Sequence, residues 1–316
     1  MASRRPALGL VVVTHDQERE LPRTLRSLLP PYQRPVAGGV ELVVVDNGSS
    51  RPVADWLPSS LASQIRLHRI ADAPPSPAHA ANLGLDLTQA ELIGLIVDGA
   101  RLASPGLLAS ATLAARLGQE TVITAPAWHL GPDLQTRSEQ TGYSQAAEDD
   151  LLEASGWEDD GYRLFSVATP AASSGRGLFG PMGESSSLFL RRGQWDALGG
   201  LDERFALPGG GLVNHDLYRR ACALPGVQLA VLLGEGTFHQ IHGGAATSGR
   251  VTREAMRAEY RQIVGAEQAP PPNEPLFVGS IPSSYLPYLE RSIAKVPRGT
   301  IDNPPAVDVD PRGEDL

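Results

Sequence analysis

Cysteine is almost absent from this sequence, and long apolar runs are missing altogether. Cys222 is the one cysteine in 316 residues, so no intrachain disulfide can form and no cysteine-based metal site is available. The apolar run at Leu8–Val13 covers only about six residues, too few for a signal-peptide core. No later stretch reaches the ~18 uncharged apolar residues of a membrane span. We therefore expect a soluble, cytoplasmic protein without a transmembrane segment.

Positive charge is also in short supply. Lys and Arg number 27 against 36 Asp and Glu, which gives a formal net charge of −9. Non-specific binding to nucleic acid or to an anionic membrane surface favours basic patches, so we expect no nucleic-acid partner, although a local basic groove is left open. Apolar residues make up 41% of the chain, enough for a substantial core in one large domain or two ordinary ones.

The first half of the chain alternates between apolar runs and helical stripes, roughly every 25 residues. Apolar runs without alternation are typical of strands covered on both faces. The pattern therefore predicts an α/β fold with a doubly wound, mostly parallel sheet and helices on both faces. The predicted strands are Leu8–Val13, Glu41–Val45, Ile65–Ile70, Leu92–Val97 and Thr121–Thr124. The predicted helices are Leu21–Leu29, Ala78–Leu87 and one that begins at Ser104 as N-cap with Pro105 in its first position.

The second half has weaker patterns. Gln135–Gly161 is polar and acidic without a sustained period, and Ser173–Gly183 is glycine-rich, which indicates a mobile loop. The proline-rich chain after Ala266 leads to a final twenty residues that we expect to be disordered. The predicted strands are Ser186–Leu190 and Gln228–Leu233, and the predicted helices are Gln194–Leu198, one that begins near Asn214, and Val251–Val264.

Acidic residues follow three of the predicted strands: Asp16, Asp46 and Asp98. Ligands of open α/β sheets bind at the carboxyl ends of the strands. Carboxylates there can ligate hard cations or accept hydrogen bonds from the paired hydroxyls of a sugar. Each aspartate also has a structural explanation, because Asp46 precedes a turn-forming Asn-Gly-Ser and Asp98 could cap the loop that follows it.

Three further residues could act with these aspartates. His239 and His242 follow a later strand, and a site of Asp plus His would suit Mn²⁺ or Mg²⁺ bridging a diphosphate. Asp216 falls in the first turn of a predicted helix behind a glycine run, where it could serve as a general base. Alternatively, the histidines belong to a loop or the core, Asp216 only favours the helix dipole, and Asn214 is the N-cap.

Five stretches together resemble family 2 glycosyltransferases, which have the GT-A fold, over roughly residues 8–245. Three carry the donor-side motifs of that family, and the other two resemble its acceptor loop with an acidic helix start and its histidine after a strand. The donor-side stretches are "VVVTHDQERELPRTLRSLL", "ELVVVDNGSS" and "AANLGLDLTQAELIGLIVDGA"; the others are "GGLDERFALPGGGLVNHDLYRRA" and "GEGTFHQIHGG".

The resemblance implies a single main GT-A domain. Residues 1–130 would be its nucleotide-sugar-binding half and 131–250 its acceptor-binding half, followed by a C-terminal helix and tail at 251–316. The resemblance also implies the nucleotide-binding residues. Thr14, Asp16 and Glu18 would line the pocket, Asp46 would contact the base or ribose, and Asn82 and Asp98 would come from the later motifs.

Two positions depart from the family pattern. Ala100 stands where the second carboxylate of Asp-x-Asp belongs, so metal binding by Asp98 would depend on His239 or His242. The Glu-Asp pair of the acceptor helix is not intact either. One alignment puts Asn214 at the base position, and a shift of two residues puts Asp216 there; we favour Asp216 because an amide cannot accept the proton.

The implied reaction moves a sugar from a nucleoside diphosphate donor, UDP among the candidates, to an acceptor hydroxyl with inversion. The acceptor would be a saccharide, a lipid-linked or another hydroxyl compound, as in the synthesis of cell-surface polysaccharide. A divalent cation, Mn²⁺ or Mg²⁺, would offset charge on the leaving diphosphate. The competing hypothesis is a catalytically degenerate module that binds a sugar or nucleotide. A dehydrogenase is disfavoured because no Gly-x-Gly-x-x-Gly follows the first strand.

Overall fold

The structure is a computed structural model that describes residues 6–174, 179–244 and 251–294. Its strands are β1 (Leu8–Thr14), β2 (Val40–Asn47), β3 (Arg66–Ile70), β4 (Leu92–Ile96), β5 (Arg101–Ala103), β6 (Thr121–Thr124), β7 (Ala127–Leu130), β8 (Ala168–Pro170), β9 (Leu188–Arg191), β10 (Gln228–Leu233), β11 (Thr237–His239) and β12 (Leu276–Gly279). Its helices are α1 (Leu21–Leu28), α2 (Ser59–Ala62), α3 (Ala78–Leu87), α4 (Leu107–Ala114), α5 (Gln135–Gln140), α6 (Gln145–Ser155), α7 (Arg192–Leu198), α8 (Val213–Cys222), α9 (Arg253–Val264) and α10 (Leu286–Ile293).

Eight strands form the central sheet, in the order β12-β10-β6-β9-β4-β1-β2-β3. All neighbours in this sheet are parallel except β9, which runs antiparallel to both β4 and β6. Because β9 comes from the second half of the chain and lies between two strands of the first half, the two predicted halves share one sheet. The α/β class with a mostly parallel sheet in a single domain is confirmed.

Alternate side chains of β1 show why helices cover both faces of this sheet. Leu10 and Val12 pack into one apolar cluster with residues of α1 and α4. Val11 and Val13 point the other way and pack with residues of α3, α7 and α8. All four side chains are at most 3% exposed. A run of consecutive apolar residues was therefore the correct signal for a strand buried on two sides.

A second, four-stranded sheet in the order β5-β11-β7-β8 was not predicted. Its strands are three or four residues long, too short to leave a period in the sequence. This sheet matters for the site, because it pairs β11 antiparallel to β5 and so sets His239 opposite Arg101.

One prediction about local structure was wrong, and one stretch contains helices that its pattern did not indicate. Ser104 does not cap a helix, because its hydroxyl donates to the carboxylate of Glu235 and accepts from the N–H of Gly236, and α4 begins only at Leu107. The aperiodic stretch Gln135–Gly161 contains helices α5 and α6. The side chain of Ser144 caps α6 by accepting from the N–H of Ala147, a signal that the sequence did contain.

Parts of two further predictions lie outside the described residues. The glycine-rich loop Ser173–Gly183 includes residues 175–178, and the chain after residue 294 includes the last twenty residues. Across residues 6–174, 179–244 and 251–294, no helix is both long and apolar enough to cross a membrane.

Replacing Gly84 with alanine is expected to destabilise the fold. A Cβ added to Gly84 in α3 would lie 2.3 Å from Cγ1 of Val11 in β1, so the helix would have to move away from the sheet. We expect a loss of about 1–3 kcal/mol in the free energy of unfolding, measured by urea denaturation. Gly193→Ala in α7 is the matched control, because a Cβ there has no neighbour within 4 Å. Equal stability of the two variants would contradict the packing argument.

Candidate active site

The acidic strand ends reach one edge of the central sheet. Thr14 of β1 lies opposite Asp46 of β2, and Val12 of β1 lies opposite Ile96 of β4. Asp98 follows Ile96 by two residues, so it lies level with Thr14. Since neighbouring strands are about 4.8 Å apart, Asp46 and Asp98 lie two strand spacings apart at the carboxyl edge.

Asp98 is held in place by the loops around it. Its Oδ1 accepts hydrogen bonds from Nε2 of Gln17 at 2.7 Å and from the N–H of Ala100 at 3.0 Å. Gly99, between Asp98 and Ala100, has to be small, because a Cβ there would lie 2.5 Å from Oε1 of Gln17 and 2.8 Å from the Thr14 side chain. Asp98 is therefore a loop cap, but its Oδ2 is left for another partner.

Both predicted histidines meet that second oxygen. Nε2 of His239 lies 2.6 Å from Oδ2 of Asp98, and Nε2 of His242 lies 3.4 Å from it. The two Nε2 atoms are 3.1 Å apart. The structure thus brings together all three residues that the sequence proposed as metal ligands, although 141 positions separate Asp98 from His239.

The donor set of Asp98, His239 and His242 fits a divalent cation. Their ligand atoms all lie within 4.8 Å of one another. Ligands about 2.1 Å from a cation and at right angles to each other are about 3 Å apart, which matches the three separations. Carboxylate suits Mg²⁺ and Mn²⁺, whereas imidazole favours transition metals. Two imidazoles with one carboxylate therefore favour Mn²⁺ over Mg²⁺.

Burial and the neighbouring charges shift the pKa values of all three residues in this cluster. Burial alone would raise the pKa of Asp98, but the facing His242 and His239 hold it well below its usual range. Burial and the nearby Arg101 lower the pKa of His239 to about 4. Burial also lowers the pKa of His242, but Asp98 and Glu20 overcome this and raise it. Near neutral pH, Asp98 is ionised and His239 offers a neutral imidazole, the form that binds metal.

The segment that carries both histidines is tied to α6. Both carboxylate oxygens of Glu148 accept from the N–H of Ile241, at 3.1 and 3.0 Å, and Arg19 donates to the same carboxylate at 3.2 Å. Arg19 also donates to the backbone oxygen of Ile241. Because Ile241 directly precedes His242, a fully buried glutamate positions the histidine segment.

Glu148 should make stability depend on pH. Burial raises the pKa of Glu148 from 4.5 to about 7, against the bonds from Ile241 and Arg19. The folded state then binds its proton more readily than the unfolded state, so the free energy of unfolding should fall as pH rises from 4.5 to about 7. Glu148→Gln should remove roughly 3 kcal/mol of that fall.

The measurement is urea denaturation of the parent and Glu148→Gln at several pH values. Glu153→Gln is the matched control, because Glu153 is exposed on the same helix. If Glu148→Gln and the parent give parallel curves, Glu148 is not the titrating group.

Thr14 is the last residue of β1, and Asp16 and Glu18 lie in the β1–α1 loop at this edge. Thr14 is buried and donates to Oε1 of Gln17 at 2.9 Å. Asp16 has a left-handed backbone with φ +50°, and its carboxylate accepts from the N–H and hydroxyl of Ser50. Glu18 is half-exposed and pairs with Arg51. The loop is thereby joined to the one after β2, with Asp16 and Glu18 open to solvent.

Asp46 is 1% exposed and its carboxylate is occupied within the chain. Oδ1 accepts from the N–H of Ser49 at 2.8 Å, while Oδ2 accepts from the N–H of Val53 and from Arg69 at 2.7 Å. Burial would raise the pKa of Asp46, but the bonds to Ser49, Val53 and Arg69 lower it. Asp46 therefore shapes the loop after β2, which agrees with the structural explanation that it precedes a turn-forming Asn-Gly-Ser.

Asn82 and Asp216 do not touch the Asp98 cluster. Asn82 in α3 bonds both the N–H and the carbonyl of Leu201 through its amide. Asp216 in α8 is 3% exposed and accepts from Nε of Arg220 at 2.6 Å. Arg220 also donates to the carbonyls that end α7. The predicted base is thus neutralised by a cation in this structure, and its catalytic role stays a prediction.

Sequence reasoning missed three residues that build this site: Gln17, Glu148 and Arg101. Gln17 stands inside the quoted "THDQE" motif, so its polarity at the strand end was an available signal. The sequence contained no comparable signal for Glu148 or Arg101, because each reaches the site from an element that was not predicted.

The fold matches solved glycosyltransferase structures. Mannosyltransferase PcManGT from Pyrobaculum calidifontis, in complex with GDP-Man and Mn²⁺, aligns with a TM-score of 0.52 and 15% identity, over 92% of this chain and 70% of that one. S. aureus TarS 1-349 in complex with UDP-GlcNAc aligns with a TM-score of 0.52 and 12% identity, over 91% and 72%.

A longer S. aureus TarS structure has a TM-score of 0.51 and 13% identity, and the match covers 82% of this chain but 40% of that one. This chain therefore spans less than half of the longer TarS chain. No family model and no curated protein matches the sequence. At such identities the likeness shows the fold alone, and it confirms the predicted GT-A architecture; membership of family 2 stays a prediction.

Proposed function

We propose that this protein is a glycosyltransferase of the EC 2.4 class that moves a sugar from a nucleoside diphosphate donor to an acceptor hydroxyl, with inversion. The observation that carries the proposal is the meeting of Asp98, His239 and His242 at the carboxyl edge of a parallel sheet. This edge is where α/β sheets bind ligands, and the group is suited to a cation that accompanies a diphosphate.

Asp98, His239 and His242 would hold the divalent cation, Mn²⁺ or Mg²⁺. When bound there, the cation would supply charge to stabilise the diphosphate as it leaves. Ala100 is fully buried and offers no ligand atom, so the two imidazoles would complete the set instead. This donor set supports a metal site that lacks the second carboxylate of Asp-x-Asp but would still hold a divalent cation.

The nucleotide would lie against the β1–α1 loop and the loop after β2. Asp16 and Glu18 are open to solvent there, with side-chain exposures of 46% and 49%, and can accept hydrogen bonds from ribose hydroxyls or a base. Thr14, Asp46 and Asn82 would act indirectly, because each is bonded within the chain.

The reaction forms a bond between the acceptor oxygen and the anomeric carbon while the bond from that carbon to the diphosphate breaks. A base takes the proton of the acceptor hydroxyl, and the electron pair of the broken bond leaves with the diphosphate. The proposed acceptor is a saccharide, a lipid-linked or another hydroxyl compound, as in the synthesis of cell-surface polysaccharide.

One observation favours the competing function, a degenerate module that binds a sugar or nucleotide without turnover. Asn214 occupies one of the two candidate base positions and cannot accept a proton, and Asp216 at the other is paired with Arg220. A binding module would keep the Asp98 cluster but release no product.

The decisive experiment uses UDP-GlcNAc, GDP-Man and dTDP-sugars as donors, with and without Mn²⁺, and measures the nucleoside diphosphate released. Dialysis against metal-free buffer before Mn²⁺ is added removes other divalent cations and any chelator. Slow release with water as acceptor, dependent on Mn²⁺ and lost in Asp98→Asn, supports the transferase. Binding of UDP or GDP by calorimetry without release from any donor supports the module.

A further inference from the structure

A second pair of titratable side chains lies at the same sheet edge, outside the Asp98 cluster. Nδ1 of His215, in the first turn of α8, lies 3.4 Å from Oε2 of Glu184, which precedes β9. Both side chains are partly exposed, at 22% and 23%. Nδ1 makes no hydrogen bond, so the pair is an ion-pair contact, and a histidine beside a carboxylate can take a proton from a hydroxyl.

The strand register brings the segment before β9, which carries Glu184, toward the edge where Asp98 lies. β9 runs antiparallel to β4 with Leu188 opposite Leu95, so the residues before Leu188 run alongside those after Leu95. The hydroxyl of Ser186 is 2.9 Å from that of Thr237 in β11, two residues before His239.

The neighbouring Ser185 hydroxyl is 2.7 Å from that of Thr124, the last residue of β6. β6 is antiparallel to β9 and therefore ends at the same edge as β4. Two hydrogen bonds thus fix the segment that carries Glu184 at the edge where the Asp98 cluster lies.

The loop before α8 is held as firmly as the segment that carries Glu184. Gly209, Gly210 and Gly211 all have positive φ, which lets the chain turn sharply into the helix. A Cβ on Gly210 would lie 3.0 Å from Pro77, so the turn packs against the start of α3. Glu259 of α9 accepts the N–H groups of residues 206 and 207. His215 is therefore presented by a braced turn and not by a loose loop.

We propose that His215, paired with Glu184, is the general base of the transfer reaction, in place of Asp216. This inference rests on the proposed function. Asp216 is almost fully buried and paired with Arg220, whereas Nε2 of His215 has no partner among the residues that the structure describes. An acceptor hydroxyl can reach His215 but would have to displace Arg220 to reach Asp216.

The roles follow from the geometry. The acceptor O–H gives its proton to Nε2 of His215 as the acceptor oxygen bonds to the anomeric carbon, and the diphosphate departs with the electron pair of the broken bond. Glu184 lies 3.4 Å from Nδ1 without a hydrogen bond to it, so its charge stabilises the imidazolium that forms. When the diphosphate or solvent takes up the proton, His215 is neutral again for the next cycle.

The test compares His215→Gln, Glu184→Gln and Asp216→Asn with the parent, using UDP-GlcNAc or GDP-Man, Mn²⁺ and water as acceptor. We expect His215→Gln to lower kcat by about 10²–10⁴-fold and to leave the Kd for UDP or GDP unchanged. Glu184→Gln should lower kcat by about tenfold or more, since the imidazolium loses the negative charge beside it. His79→Gln is the matched control: it removes the other histidine–glutamate pair, that of His79 with Glu203, and should leave kcat unchanged.

Three outcomes would count against the proposal. If His215→Gln keeps kcat within about threefold of an active parent, the pair is not the base, and the transferase proposal stands without it. If Asp216→Asn alone loses turnover at unchanged nucleotide affinity and unchanged thermal unfolding, the base is Asp216. If the parent binds nucleotide but turns over no donor, the transferase proposal fails and the base with it.

Discussion

Asp98→Ala is expected to lower the affinity for a nucleoside diphosphate in the presence of Mn²⁺ more than any other substitution at the site. The change removes the one carboxylate of the cluster and leaves His239 and His242 without the charge that they face. Truncating one member of a buried, hydrogen-bonded charge pair costs about 2–5 kcal/mol. Because each 1.4 kcal/mol is about a tenfold change, the affinity should fall by roughly 30-fold or more.

The measurement is calorimetric titration of UDP or GDP into the protein with and without Mn²⁺. Asp98→Asn separates the two roles of the side chain, because an amide oxygen can still accept from Ala100 and Gln17 but carries no charge. We expect it to keep the stability of the parent and lose the Mn²⁺-dependent part of the affinity. Asp72→Ala, at an exposed position, is the control. Unchanged affinity in Asp98→Ala would mean that Asp98 is only a loop cap.

Asp216→Ala is expected to destabilise the protein strongly. The carboxylate is nearly fully buried and pairs with Arg220 at 2.6 Å. Arg220 cannot simply turn to solvent, because it also donates to the carbonyls of Leu198 and Gly200. Removing one partner of a buried pair leaves the other charge uncompensated, and we expect a loss of about 3–5 kcal/mol in the free energy of unfolding.

Urea denaturation measures this loss directly. Glu158→Ala is the matched control, since it breaks the exposed ion pair of Arg26 with Glu158 and should cost about 0–1 kcal/mol. Should Asp216→Ala unfold at the same urea concentration as the parent and yet release no nucleoside diphosphate, the sequence-based assignment of Asp216 as the base would be correct. Our inference that Asp216 stabilises the fold through its pair with Arg220 would then be wrong.

The elements that carry the site were largely predictable. β1, β2 and β4 appear in the sequence as apolar runs, because strands buried on both faces need apolar side chains at consecutive positions. α3 spans Ala78–Leu87 as predicted. The short strands β5 and β11 were not predictable, because a strand of three residues is too short to show a period. They are nevertheless what brings His239 to Asp98.

The ligand group was only partly predictable. Asp98 was identifiable because a carboxylate after a buried strand points to a binding edge, and the resemblance joined it to His239 and His242. Glu148 was not identifiable, since the stretch around it has no period, and its bond to Ile241 joins residues 93 positions apart. For Asp216, by contrast, the bonding partner was predictable. Arg220 stands four residues later, at a spacing that predicts a helical ion pair. The sequence could not tell whether that pair is buried.

The sequence by itself determined the α/β class, the strands of the parallel sheet and the acidic strand ends, because local hydropathy and backbone geometry are encoded by residues near one another. Only the tertiary structure decided which polar groups meet and which are already occupied. Those pairings depend on strand register and on the packing of segments far apart in the chain, so Asp46 and Asp216 proved to be bonded internally while His215 and Glu184 came to face each other.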